Sequence, residues 1–363
     1  MLVPVAAGRA ADFTMAFGPD VAVPEFNCLD IDPAVVCEGG QLEVVYGAGG
    51  AEHLRIRRFA GPDLDHLHAL PDGKRDASFT QPFGDDSYWV SAAWVEPRTH
   101  RWLATVHVEF RYHSTPAPNF HHFRRIGLAS SADHGATWHY EGDILTSDNP
   151  LDPAAFPGHF YDWGCGDQKL YVDARHGWFY LWYMHSWVHK QTGLRYQSMR
   201  VARCRIADRM APGAWTKWYR GAWSQPGLGG HDSDVFVNAD NTTVTYNKWL
   251  KRYLALGTTM QGTEYVATCR DLGKQDWTPM QQLAQSPRRL LWYNFALDPA
   301  RDRWTTGKTF RLYSSCCHVA GLATKYMEVT LGPGTTGTTA LVPLYPPEPV
   351  NDGNPEWEQN PGP

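Results

Sequence analysis

The 363-residue sequence contains no long hydrophobic run, no excess of basic residues and almost no helical hydrophobic period. No apolar stretch approaches the roughly 18–20 residues that a transmembrane helix needs. Lysine and arginine total 33 against 38 aspartates and glutamates, which gives a net charge of −5, whereas a nucleic-acid-binding chain needs a basic surface. The seven cysteines include no Cys-x-x-Cys pair, so a zinc site is not indicated. We expect neither a membrane nor a nucleic acid as a partner.

The first residues also lack the parts of an intact signal peptide. Residues 1–7 have no basic segment followed by a full apolar segment, which a secretory signal requires. We interpret them as the remainder of a trimmed signal with an added methionine. This interpretation predicts a secreted or periplasmic protein.

The composition that remains is typical of a globular β protein. Aromatic residues make up 13% of the chain, and 33 glycines and 26 prolines supply turns. The hydrophobic fraction of 43% against 20% charged residues excludes a disordered chain. Short runs rich in β-branched and aromatic residues recur between turn residues, which indicates a barrel, sandwich or propeller.

An internal repeat narrows that choice. Five segments share the pattern of an apolar strand, a polar turn and a second strand, which predicts five β-hairpins. They are residues 42–46 after the turn at 38–40, and residues 94–103, 173–181, 246–254 and 296–304. Units of about 60 residues suffice for four strands each. We predict a monomeric, all-β, five-bladed β-propeller of four-stranded antiparallel blades over residues 1–331, closed by a strand at 12–17, with a Pro/Gly-rich strap or linker at 332–363.

Two motifs carry a resemblance to known families. The sequence Ser131-x-Asp133-x-Gly135-x-Thr137-Trp138 resembles the Asp-box of sialidases and related propellers, whose role in those families is to lock a hairpin turn. Residues 30–36, followed by Gly-Gly at 39–40 and an aromatic residue at 46, are similar to the opening blade of five-bladed glycosidases of the arabinanase/xylosidase, invertase and endo-D-arabinanase types. This resemblance implies a glycoside hydrolase acting on an oligosaccharide or polysaccharide, with furanosides such as arabinan as one substrate class.

Acidic residues precede four of the five predicted innermost strands. Residues 32–36, 85–89, 167–171 and 232–236 each read as Asp, two further residues and two apolar residues. Innermost strands of a propeller converge on its axis, so these carboxylates are expected in one central pocket. Glycoside hydrolysis uses one carboxyl group as acid and a second as base or nucleophile. The predicted catalytic residues are Asp32, Asp85, Asp167 and Asp234.

The resemblance implies roles for some of them. It implies a base or nucleophile at Asp32 and a modulator at Asp85 or Asp86. It places the acid in blade three, where those families commonly carry Glu and this sequence offers Asp162 and Asp167; Asp234 and Glu109 are alternatives. Further substrate-binding candidates are Asp86, Asp162, Trp163, His185, Asp232, Arg288 and His318. No cofactor or protein metal ligand is expected to be required, and the resemblance is compatible with a central calcium ion.

Two other functions remain open from the sequence. A polysaccharide lyase needs a His or Tyr base and a cation that neutralises a uronate, and His107, His185, Tyr183 and Arg288 supply those groups. A carbohydrate-binding propeller without catalysis would repeat one polar signature in every blade. Blade five carries residues 287–291, without the acid, which favours a single central site.

Overall fold

A computed structural model describes residues 11–23, 29–47, 56–71, 76–81, 86–111, 122–148, 153–156, 158–283, 293–298, 302–315 and 324–336. Within these ranges the secondary structure is β-strand, apart from two short 3-10 helices at Pro153–Ala155 and Ile206–Asp208. No helix in the described ranges is long and apolar enough to span a membrane.

The strands form five successive antiparallel meanders. Blade one holds β3 (Ala34–Glu38), β4 (Gln41–Gly47) and β5 (Ile56–Gly61), with β6 (His68–Ala69) and β7 (Asp76–Phe79) on its outer side. Blade two holds β8 (Ser87–Val95), β9 (Trp102–Arg111), β10 (His122–Ser131) and β11 (Thr137–Leu145). Blade three holds β12 (Phe160–Asp173), β13 (Trp178–His189), β14 (Arg195–Arg205), β15 (Thr216–Tyr219) and β16 (Ala222–Pro226).

The last two meanders complete the set. Blade four holds β17 (Ala239–Asn247), β18 (Arg252–Thr259), β19 (Glu264–Cys269) and β20 (Gln281–Gln282). Blade five holds β21 (Phe295–Leu297), β23 (Thr309–Ser314), β24 (Lys325–Thr336) and the N-terminal strand β1 (Ala11–Phe17). Two short strands lie between blades: β2 (Val21–Ala22) pairs with β24, and β22 (Thr305–Thr306) pairs in parallel with β17.

The hydrophobic core shows that the blades form a closed ring. Five buried clusters lie one between each pair of neighbouring blades: one and two, two and three, three and four, four and five, and five and one. The last cluster packs Tyr46 and Phe59 of blade one with Phe295 and Tyr313 of blade five. The molecule is therefore a five-bladed β-propeller, as the repeat predicted, and β1 closes blade five as expected for residues 12–17.

The Asp-box has the structural role that its resemblance implied. The Asp133 carboxylate accepts hydrogen bonds from the Thr137 backbone N–H at 2.8 Å and from the Thr137 hydroxyl at 2.7 Å. The Ser131 hydroxyl accepts the Gly135 N–H at 2.9 Å, and Trp138 is fully buried behind the turn. These contacts fix the hairpin between β10 and β11, away from the axis.

Three details of the predicted strands and their bounds differ from the structure. In blade five the partner of β21 is β23 and not a strand within residues 296–304, because residues 302–306 turn aside to pair β22 with blade four. In blade four the innermost strand begins at Ala239, and Val235 and Phe236 lie before it in a segment that bonds to Met199 of blade three. The last strand continues to Thr336, past the expected start of the tail at 332.

Candidate active site

Strands and adjoining segments of all five blades bring charged side chains together in one cluster. Hydrogen bonds join these strands across blades: the Ser91 hydroxyl donates to the Asp32 carbonyl at 3.0 Å, and the Lys169 ammonium donates to the Asn294 carbonyl at 2.8 Å. The central cluster, as we call it, consists of Asp32 from blade one, His107, Glu109 and Arg124 from blade two, Asp167 and Lys169 from blade three, Asp240 from blade four, and Asn294 and Arg303 from blade five.

Asp32 is held by two cations through one of its oxygens. Its Oδ1 accepts a hydrogen bond from Arg303 Nη2 at 2.5 Å and lies 3.8 Å from Lys169 Nζ. The residue is only 1% exposed, and its Oδ2 has no hydrogen-bond partner among the described residues. A buried carboxylate oxygen without a partner costs free energy, so a hydrogen bond to this atom would stabilise the site.

Lys169 is a buried ammonium beside that carboxylate. It is 2% exposed and lies on β12, four residues before the end of the strand at Asp173. Burial lowers its pKa to about 8, although the charge of Asp32 acts in the opposite direction. The ammonium is therefore protonated at neutral pH and loses its proton within the moderately alkaline range.

Asp167 lies on an irregularity of β12 that turns its backbone. The pairing of β12 with β13 shifts between Gly166 and Lys169, and Asp167 has a φ of 46°, in the left-handed region. Its carboxylate accepts a hydrogen bond from Arg124 Nη1 at 2.8 Å, and its N–H donates to His107 Nδ1 at 3.0 Å. The guanidinium of Arg124 is thus the cation paired with this carboxylate.

His107 is fixed in one neutral tautomer by its two partners. Because Nδ1 accepts the Asp167 N–H, the ring proton lies on Nε2, which faces Glu109 Oε1 at 3.2 Å. The ring also packs edge-on against Trp89. Its acceptor nitrogen is therefore occupied by the backbone.

Asp240 is the carboxyl group with a strongly raised pKa. It is the second residue of β17 and is 6% exposed. Its carboxylate accepts a hydrogen bond from Asn241 Nδ2 at 2.5 Å. Burial and then the negative charge of Asp167 raise its pKa to about 7, while Arg124 and Lys169 act in the opposite direction. Crowded carboxylates cannot all ionise, and here the proton stays on Asp240.

A second buried network joins His185 of blade three to two carboxylates. His185 Nδ1 is 2.9 Å from Asp232 Oδ1, and His185 Nε2 is 3.0 Å from Asp162 Oδ1. Burial lowers the pKa of His185, but the charges of Asp232 and Asp162 outweigh it and hold the pKa well above its usual value. His185 is therefore an imidazolium bridging two carboxylates, and its ring stacks on Trp187.

The same network contains the other acids predicted for blade four. Asp232 accepts the Tyr183 hydroxyl at 2.7 Å and lies 3.8 Å from Lys217 Nζ. Asp234 forms an ion pair with Arg200 Nη1 at 2.6 Å. The predicted catalytic residue Asp234 thus pairs with Arg200 on the third strand of blade three, whereas Tyr183 and Lys217 on its second and fourth strands contact Asp232.

The remaining predicted residues fall into two groups. Trp163 is 3% exposed and covered by the guanidinium groups of Arg124 at 3.8 Å and Arg195 at 4.8 Å, so its ring does not offer a stacking surface for sugar. Asp86 directly precedes β8, and its charge contributes to the raised pKa of Tyr140 on the outermost strand β11. Asp85, Arg288 and His318 lie outside the described residues.

Sequence reasoning missed several members of the central cluster. The blade-four carboxylate is Asp240, which immediately precedes the run Asn241-Thr242-Thr243; these three residues are 7% exposed or less, so this apparent glycosylation sequon is buried. The sequence around Lys169 and Arg303 did not indicate that they belong to the site, because their position there depends on which strands meet at the axis. An acid before a β-rich run was the one available signal for Asp240.

One group of side chains has the composition of a metal site. The ligand atoms of Cys165, His185 and Asp232 lie within 4.8 Å of one another in the described part of the chain. Both ring nitrogens of His185 face carboxylates, and Arg200 Nε and Lys217 Nζ lie 3.5 and 3.8 Å from Asp232. A divalent ion would face these fixed cations, so the residues present do not fit a metal; the ion-pair network accounts for them.

Comparison with known proteins finds similar solved structures at low sequence identity. No protein-family model matches the chain, and no curated protein matches it. The chain is similar to the catalytic domain of a GH62 α-L-arabinofuranosidase from Coprinopsis cinerea (12% identity, TM-score 0.46, covering 89% of this chain and 98% of that one). It is also similar to an endo-arabinase from Bacteroides thetaiotaomicron (11%, 0.44, 88% and 97%) and to an N-acetylgalactosamine deacetylase from F. plautii (12%, 0.46, 90% and 96%).

Proposed function

We propose that the protein is a glycoside hydrolase that cleaves an oligosaccharide or polysaccharide at the axis of the propeller. The observation that carries this proposal is one carboxyl group whose pKa is raised to about 7, Asp240, grouped with two carboxylates that pair with buried cations, Asp32 and Asp167. Glycoside hydrolysis needs this combination of one acid and one ionised carboxylate.

Asp240 is the general acid in this proposal. With a pKa of about 7, a large fraction of the molecules carries the proton that the leaving oxygen requires. Asp167 maintains this state, because its negative charge disfavours ionisation of Asp240. In this proposal Asp240 therefore donates the proton, and Asp167 keeps Asp240 protonated.

Asp32 is the base or nucleophile. Arg303 and Lys169 contact its Oδ1, so they stabilise the negative charge of the carboxylate. Oδ2 is the atom that acts on a water or on the anomeric carbon. Asp32 lies on blade one, where the sequence resemblance also implied the base.

The geometry favours hydrolysis over elimination. His185 is an imidazolium held between Asp162 and Asp232, and the Tyr183 hydroxyl donates a hydrogen bond to Asp232 while burial raises the pKa of Tyr183. Neither group is a base at neutral pH, and the acceptor nitrogen of His107 is occupied by a backbone N–H. The side chains that could act as the base of a lyase are therefore already protonated or hydrogen-bonded.

The unequal contributions of the blades also favour an enzyme over a lectin. A multivalent sugar-binding propeller would present one similar site in each blade, whereas here each blade supplies a different group to one centre. Secretion and a calcium ion on the axis remain predictions that belong to this proposal.

The experiment is a panel of polysaccharides, with arabinan and other furanosides first because of the blade-one resemblance, followed by product chromatography. We expect new reducing ends without absorbance near 235 nm, and a loss of about 100-fold or more in the Asp240→Asn variant. Asp208→Asn, which changes an exposed aspartate, should match the wild type. Unsaturated products, or full activity of Asp240→Asn, would overturn the proposal.

A further inference from the structure

The central cluster contains a buried lysine that the acid and base roles leave unexplained. Lys169 is 2% exposed on β12, and desolvating an ammonium ion costs several kcal/mol unless it is paired. Its two described partners come from two other blades: the Asn294 carbonyl of blade five at 2.8 Å and the Asp32 carboxylate of blade one at 3.8 Å.

The partners fix both the position and the charge of this group. The acceptor is a backbone carbonyl, which cannot rotate away as a side chain can. The hydrogen bond therefore fixes the position of Nζ. From there it faces the Asp32 oxygen that Arg303 also contacts. The other charges within reach are those of Asp167 on the same strand and Asp240 on blade four.

We propose that Lys169 is a positioning residue of the hydrolytic site, whose ammonium pairs with the Asp32 carboxylate and orients it for its role as base or nucleophile. The inference rests on the proposed function. It goes beyond the acid and base pair because it adds a second proton, that of Lys169, which the enzyme must retain in addition to the proton of Asp240. Loss of the Lys169 proton leaves Arg303 as the sole described cation against Asp32. The neutral amine can still donate to the Asn294 carbonyl, so the change acts through the charge beside Asp32.

A consequence follows for the alkaline side of the pH profile. Asp240 must be protonated to donate its proton, and it loses that proton with a pKa of about 7. Lys169 must be protonated to hold Asp32, and burial lowers its pKa to about 8. Two required protons are lost in succession, so log kcat/KM should fall with a slope approaching −2 above pH 8 and not the slope of −1 that one group gives.

The matched variant is Lys169→Arg, which keeps the positive charge but does not titrate in this range. On the substrate that the panel identifies, we expect kcat/KM to fall about 50-fold between pH 8 and 9 in the wild type and only about 10-fold in Lys169→Arg. Lys248→Met, which removes an exposed lysine, should keep the wild-type slope. A slope of −1 in the wild type, or equal slopes in the wild type and Lys169→Arg, would overturn the inference while leaving the proposed hydrolase intact.

A second measurement on the unmodified protein does not depend on activity or on the folding of a variant. In ¹³C spectra of protein labelled at lysine Cε, we expect one lysine to titrate near pH 8 while ordinary lysines titrate near 10.4. The Asp32→Asn variant should lower this midpoint, because it removes the charge that favours the ammonium. If all lysines titrate near 10.4, Lys169 is not the buried partner of Asp32; if no glycoside is cleaved, the proposed function fails separately.

Discussion

At the scale of single residues, the environment decides which charged group performs which role. Asp32, Asp167 and Asp240 are chemically the same side chain, yet the first two pair with cations, and burial beside the charge of Asp167 raises the pKa of the third. The sequence located two of the three, because an acid before an apolar strand is a local pattern. It could not assign the acid, because that role depends on charges contributed by other blades.

The imidazolium of His185 gives a residue-scale prediction for stability. Its pKa in the folded protein is raised, since Asp232 and Asp162 outweigh the desolvation that lowers it. A group with a raised folded pKa stabilises fully below its unfolded value of about 6.5, and this stabilisation is lost as pH rises through the folded value. We expect His185→Gln to lower the urea midpoint strongly at pH 6 and less at strongly alkaline pH.

The check is a series of urea unfolding curves for the wild type and His185→Gln between pH 6 and pH 10. His176→Gln is the control, because that ring is exposed and forms a single ion pair with Asp173. A difference between wild type and His185→Gln that stays constant with pH would show that His185 is neutral in the folded protein.

At the scale of one element, strand β12 determines the geometry of the site. It carries Asp162 to the blade-three network and Asp167 and Lys169 to the axis, and its irregularity after Gly166 changes the direction of the chain between them. The sequence predicted a strand start at residue 167, but the strand begins at Phe160. Irregularities of this kind depend on close packing against a neighbouring blade, which a single segment does not reveal.

Gly166 tests that packing. A Cβ at this position would lie 2.4 Å from Cε1 and 2.7 Å from Nδ1 of the His107 ring, so Gly166→Ala must displace the ring or the strand. We expect a loss of about 1–3 kcal/mol in the free energy of unfolding, the usual cost of overpacking, and a lower kcat, because the His107 bond to the Asp167 N–H is lost.

The comparison variant is Gly18→Ala. Its Cβ would meet atoms of Glu328 at 3.5 Å or more, which is ordinary contact. Unfolding free energies and kcat measured for both variants separate a packing effect from a general effect of removing a glycine. Wild-type kcat in Gly166→Ala would mean that the His107–Asp167 contact does not position the site.

At the scale of the whole molecule, the ring is the cooperative unit. Each core cluster is shared by two neighbouring blades, and the N- and C-terminal strands meet in blade five. The repeat in the sequence predicted the blade count and the closing strand, since both follow from local patterns. The closing strand shows this pattern clearly, with Phe13 and Met15 buried between the exposed Asp12, Thr14 and Ala16.

Phe13 gives a prediction at this scale. It is fully buried in the cluster between blades four and five, so Phe13→Ala should lower the free energy of unfolding by about 3–5 kcal/mol, the usual cost of truncating a buried phenylalanine. Thr14→Ala on the exposed face of the same strand should change it by less than about 0.5 kcal/mol. Urea unfolding of both variants provides the measurement, and similar small losses would show that β1 is not part of the ring.

The most direct test of the account concerns the proton on Asp240. An aryl glycoside whose leaving group needs no protonation, such as a 2,4-dinitrophenyl glycoside of the sugar identified in the panel, bypasses a general acid. Asp240→Asn should retain kcat/KM for this substrate within about 10-fold of wild type, lose about 100-fold or more for the polysaccharide, and show no alkaline limb near pH 7 with the aryl substrate. An equal loss on both substrates, or an unchanged limb near pH 7, would contradict the assignment of Asp240 as the acid.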